Sequence, residues 1–109
     1  MSIQTDVKAV AADIAREIRA NWQAWTQRRV ARDKAGDFVP PKDPDAVCWC
    51  LAGHIEKRVG AVYETDAGYQ VAKALMRAMQ EREAIESWND YTGRLPCEVI
   101  ALCEVVANG

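Results

Sequence analysis

The sequence predicts an all-α fold, a compact bundle of four to five helices led by a long N-terminal helix. Three observations carry this. Apolar residues recur at steps of three and four along most of the chain. Proline, glycine and asparagine gather in a few short stretches between those runs. No segment reads as a strong strand, an internal repeat or a low-complexity tract. At 109 residues the expectation is one domain, spanning 1–109.

The first helix is expected over 3–27, with Ile3, Val7, Val10, Ile14, Ile18, Trp22 and Trp25 on one stripe. Ser2 or Thr5 suits its cap. Residues 28–47 form a connection, basic at first (Arg28, Arg29, Arg32, Lys34) and then rich in Gly and Pro. Twenty structureless residues are long for a compact domain, so the helix is expected to continue through Arg32. Its length would exceed the width of the domain and leave one end projecting or packed on another copy. Val39 and Pro40 precede prolines and should be extended.

The second helix is expected from Pro44 to Arg58, capped by Asp43, with Val47, Cys48, Leu51, Ile55 and Val59 inward and Gly60 as terminator. Gly53 in its middle suggests close approach of a neighbouring backbone. A third helix is expected over 66–88, capped by Asp66, with a wet segment at 80–83 where it can kink. Asn89, Asp90, Thr92 and Gly93 make a turn. The last helix runs from Pro96 to Ala107 and is apolar almost all round, which calls for a central position or a covering partner.

Composition excludes several classes. No apolar run approaches a membrane span, and Asp6, Lys8, Asp13, Arg16 and Glu17 interrupt any signal-like N-terminus. No membrane association and a cytoplasmic location are therefore expected, with Cys48, Cys50, Cys97 and Cys103 as reduced thiols. The net charge of -2 argues against a chain that seeks nucleic acid as a whole. The charge is uneven: residues 1–34 carry a net +3 and residues 35–109 a net -5.

Two stretches stand out. One is Cys50-Leu51-Ala52-Gly53. The other is Trp88-Asn89-Asp90-Tyr91-Thr92-Gly93-Arg94, followed by Glu98-Val99-Ile100-Ala101-Leu102. Together they resemble a family of small bacterial and phage proteins of unknown function, with Cys-x-x-Gly and a closing Trp-Asn-Asp-x-x-Gly-Arg-Thr-x-x-Glu-Val. The resemblance covers about residues 44–106 and implies a compact helical fold, without an assigned activity. In such a motif the threonine would cap a helix and the glutamate would close a capping box. Leu95 stands at the threonine position here, yet Glu98 can still reach the Leu95 N–H, and Pro96 suits the first helical turn. Cys50, Gly53, Trp88, Asn89, Asp90, Gly93, Arg94 and Glu98 are accordingly read as structural, with Asn89 and Asp90 satisfying turn or helix-end backbone groups.

Three constellations could carry chemistry. Cys50 and His54 lie one turn apart and both suit zinc, but Cys48 and Cys50 diverge by about 200° on a helix and no Cys-x-x-Cys exists. No metal or other cofactor is expected. Cys97, in the first turn of the last helix beside Arg94, has the setting of a lowered thiol pKa, without an evident base. Trp22, Trp25, Arg28, Arg29 and Arg32 interleave aromatics with cations and would stack bases and neutralise phosphates; salt-sensitive oligonucleotide binding would reveal this. Phosphate-loop, nucleophile-elbow and zincin motifs are missing from the sequence. The expectation is a non-enzymatic interaction module acting as a homo-oligomer or with a protein partner. The alternatives are a nucleic-acid binder using 22–34 and a metal- or thiol-dependent protein using Cys50, His54 and Cys97.

Overall fold

A computed structural model describes residues 6–80 and 84–109. The fold is mainly helical, with a small sheet that the all-α expectation lacked. Helix α1 spans Val7–Ala20. Asp6 caps it by accepting from the Ala9 N–H at 3.0 Å; Ile3 and the expected caps Ser2 and Thr5 lie outside the described residues. Its buried stripe is Ala11, Ile14, Ala15 and Ile18.

The long first helix is a correction. The chain leaves the helix at Asn21, which is extended (φ -151°) and whose side chain accepts from Gln23 N–H. One 3-10 turn, Trp22–Ala24, follows, and Trp25 is extended. Helix propensity favours continuation only weakly. Against it stand tertiary bonds that need an extended chain: the Ala24 carbonyl meets His54, and the Trp25 indole meets Asn89.

The connection is also more ordered than a loop. Strand β1, Ala31–Arg32, pairs antiparallel with β2, Cys48–Trp49, placing Ala31 opposite Trp49 and Arg32 opposite Cys48. Single bridges extend this ladder on both sides, Arg32 to Phe38 and Trp25 to Trp49. Val39 lies outside any helix, as its position before proline favours, and donates to the Ala31 carbonyl. Arg32 fastens the connection from within, donating to Thr26 Oγ1 and to the carbonyls of Gly36 and Gln27.

Helix α2 is Leu51–Arg58, not Pro44–Arg58. Asp43 caps a local turn, accepting from Asp45 N–H. The cap of α2 is Cys50, whose Sγ accepts from Gly53 N–H at 3.4 Å. Cys48 belongs to the sheet because its backbone is needed there. Gly53 does meet a neighbouring backbone: a Cβ built on it would collide with the Val30 carbonyl oxygen.

Helix α3, Asp66–Met79, is capped by Thr65 Oγ1 on Gly68 N–H, rather than by Asp66, and ends at Gln80 in the left-handed region (φ 57°). A separate short helix α4, Ile85–Asn89, replaces the rest of the expected 66–88 helix. Part of the wet segment at 80–83 lies outside the described residues. Helix α5 is Pro96–Asn108, packed chiefly along α1 with α3 beside it. Ile14, Ile18, Leu51, Ile55, Val71, Leu75, Ile85 and Val99 form the centre of one continuous core.

Gly53→Ala tests the close approach. In an open helix this change stabilises by up to ~1 kcal/mol. Here the obstacle is backbone, so a loss of about 1–3 kcal/mol is expected in urea unfolding. A stabilised variant would contradict the contact with Val30.

Candidate functional site

The two motif stretches of the sequence meet at one amide. Asn89 is fully buried. Its Oδ1 accepts from the Trp25 indole N–H at 2.6 Å and from the Leu51 N–H at 3.0 Å. Its Nδ2 donates to the Thr26 carbonyl at 3.1 Å and to Asp90 Oδ1 at 3.0 Å. Both acceptor positions and both N–H donors of the amide are thus engaged, by three separate parts of the chain. Leu51 is the first residue of α2, so Asn89 satisfies a helix-end donor that Cys50 leaves open.

Neighbours reinforce the junction. Asp90 Oδ1 accepts from Arg28 N–H at 2.8 Å and holds Arg28 at φ 71°, a conformation costly for a side chain of this size. Gln27 Nε2 donates to the carbonyls of Asn89 and Tyr91. Gly93 (φ 88°) turns the chain toward α5. Arg94 stacks over the Trp88 ring at 3.9 Å, donates from Nε to the Trp88 carbonyl at 3.0 Å and pairs with Glu98 at 3.3 Å. Glu98 Oε1 also accepts from the Leu95 N–H at 2.8 Å, the reciprocal half of a capping box; the Leu95 side chain offers no acceptor for the other half.

A second polar cluster joins α1 to α2. His54 is fully buried. Its Nε2 lies 2.9 Å from the Ala24 carbonyl and its Nδ1 3.0 Å from Arg58 Nη1. A carbonyl only accepts and a guanidinium only donates, so the neutral tautomer carries its proton on Nε2. Burial, with the Arg58 charge, pushes the imidazole pKa down to about 3. Glu17 Oε1 sits 3.7 Å from Nδ1, but a neutral ring makes no ion pair with it. Burial works against ionisation of Glu17, yet the bonds from Lys57 and Arg58 outweigh it and hold the carboxyl below its usual range. The Arg58 bond does the same for Asp13. Lys57 lies over the Trp49 ring at 3.2 Å. Reading the sequence missed this cluster; its signal was Asp13 and Glu17 one turn apart on α1, facing the adjacent cations Lys57 and Arg58.

The other candidates are dispersed. Trp22, Arg28 and Arg29 are exposed, whereas Trp25 and Arg32 make internal bonds, so the five do not share a helical face. Cys50 and His54 are both buried and bonded within α2 and its surroundings, and burial raises the Cys50 thiol to about 11. Cys103 is raised to about 12 by burial. Cys97 is exposed in the first turn of α5. Among the described residues no three His, Cys, Asp or Glu converge as metal ligands would.

Asn89→Ala should cost about 3 kcal/mol or more, because it orphans the Leu51 N–H, the Trp25 indole and the Thr26 carbonyl together. Urea unfolding with tryptophan emission measures it; a loss under about 1 kcal/mol would mean the junction is dispensable. His54 adds a pH dependence. Its folded pKa lies below the unfolded value, so its contribution is complete above about pH 6.5 and is lost as pH falls toward the folded value. From about pH 6.5 to 5 stability should drop by up to about 1.4 kcal/mol per pH unit, before most carboxylates titrate. His54→Gln should flatten that window; an unchanged slope would assign it elsewhere.

No curated protein and no solved structure matches the chain significantly. A family of unknown function, DUF6197, matches residues 2–108, which takes in both polar clusters and all five helices. The chain belongs to this family.

Proposed function

We propose that this protein is a non-enzymatic interaction module that works as a homo-oligomer. The observation carrying this reading is the outer face of α5. Cys97, Ala101 and Val105 are exposed at successive four-residue steps, a stripe where a solvated helix normally places charge. Val105 alone is 58% exposed. The opposite face, Val99, Leu102 and Cys103, is buried in the core. A second copy would cover the outer stripe, and a two-fold dimer is the commonest closed arrangement.

What the reactive groups are doing supports the absence of catalysis. The single histidine is neutral with both ring nitrogens engaged, and the side chains of Asn89, Asp90, Arg94 and Glu98 all bond within the fold. The location that fits such a module is the cytoplasm, where its thiols stay reduced; no described helix is long and apolar enough to cross a membrane.

Light scattering across about 1 to 100 μM should show twice the chain mass, with Val105→Glu shifting it to the monomer at unchanged helical circular dichroism. A monomer throughout, or a dimer indifferent to Val105→Glu, would sink the reading.

A further inference from the structure

We infer a second docking surface, a basic groove between α1, α3 and α5 that takes an acidic amphipathic segment of a partner protein. The groove is open and holds about 430 Å³. Its apolar lining is Val7 from α1, Ala74 from α3 and Val106 from α5. Lys8, Lys73 and Arg77 also line it, and among the described residues no carboxylate does. All three cations are exposed, and among the described residues none of them takes part in an ion pair.

The largely buried cations of this fold are paired within it, Arg58 with Asp13 and Glu17, Lys57 with Glu17, Arg94 with Glu98; the three at the groove face solvent beside apolar lining. Two described carboxylates next to the groove in sequence are turned to local tasks. Asp6 caps α1, and Asp66 accepts from Gln70 Nε2 at 2.7 Å. The net charge of the whole chain is -2, so a local group of three cations is not a by-product of a basic composition.

Shape decides among anionic partners. A bilayer is entered by protruding apolar side chains; here the apolar residues are short, half-buried and concave. Nucleic acid would neutralise the cations and leave the apolar lining unfilled. A peptide ridge with one or two aliphatic side chains, flanked by Asp or Glu, satisfies both features. Lys73 and Arg77 are one turn apart on α3, matching carboxylates at the same helical spacing. The groove uses Val106, not the Ala101–Val105 stripe, so it stands independently of self-association.

The test uses fluorescence anisotropy of a labelled helical peptide of about 14 residues, with leucines on one face and glutamates beside them. The full chain should bind it more weakly as salt rises, and Lys73→Glu with Arg77→Glu should lower affinity by about tenfold or more. Both positions are exposed, so circular dichroism should stay unchanged. Ala74→Glu, filling the lining, should also weaken binding. No binding, equal binding of the peptide with lysines in place of glutamates, or binding indifferent to these changes would overturn the inference. Charge-reversal-sensitive binding to phosphatidylglycerol vesicles without peptide binding would overturn it in favour of a membrane. Light scattering of the same variants separates this outcome from loss of the dimer.

Discussion

The buried amide of Asn89 is the constraint on which the rest of the structure depends. It ties the segment after α1, the start of α2 and the end of α4 through a single side chain. Each of those places leaves a backbone or indole group that must find a partner once water is excluded. A primary amide serves all of them because it both donates and accepts in one plane. Asp90 extends the same logic to Arg28, and Gln27 returns two bonds to the turn. The first helix is short for this reason: continuing it would carry Trp25 and Thr26 away from Asn89.

Around that junction the charged groups are used as fasteners. His54 is kept neutral by burial, and Arg58 binds it while pairing with both acids of α1. The acids of these pairs keep part of their solvent exposure, so each pair adds only modestly to stability. Cys50 and Gly53 have equally local tasks, one accepting at the helix start and the other admitting the Val30 carbonyl. The most recognisable residues of the chain are thus turned inward, and the contacts proposed for it lie on plainer surface: the apolar stripe of α5 and the basic groove beside α3.

Legibility in the sequence followed the range of the interactions. Helix α5 was readable because Pro96, Glu98 and the following apolar run are local signals. The core stripe of α1 was readable for the same reason, as was the special place of Gly53. The end of α1, the start of α2 and the two strands were not, because they answer to partners far along the chain: Trp25 to Asn89, Ala24 to His54, Ala31 to Trp49. Periodicity cannot register such bonds, and Trp22 and Trp25 continued the helical stripe by spacing alone. Among the site residues the inward role of Asn89 could be guessed from its turn setting, but not its partners. The Glu17–His54–Arg58 cluster needed the packing of two helices to become visible.

The order of bonds along the chain has a consequence for synthesis. Trp25, Thr26 and Arg28 emerge more than sixty residues before the side chains that bind them. Until Asn89 and Asp90 leave the ribosome, the start of α2 lacks its acceptor and Arg28 has nothing to hold its backbone conformation. Helix α1, meanwhile, has no α5 to lie against. The early segments of this fold therefore find their partners only once α4 and α5 have been made, and a product cut within α4 would lack both the Asn89 junction and the helix that covers α1.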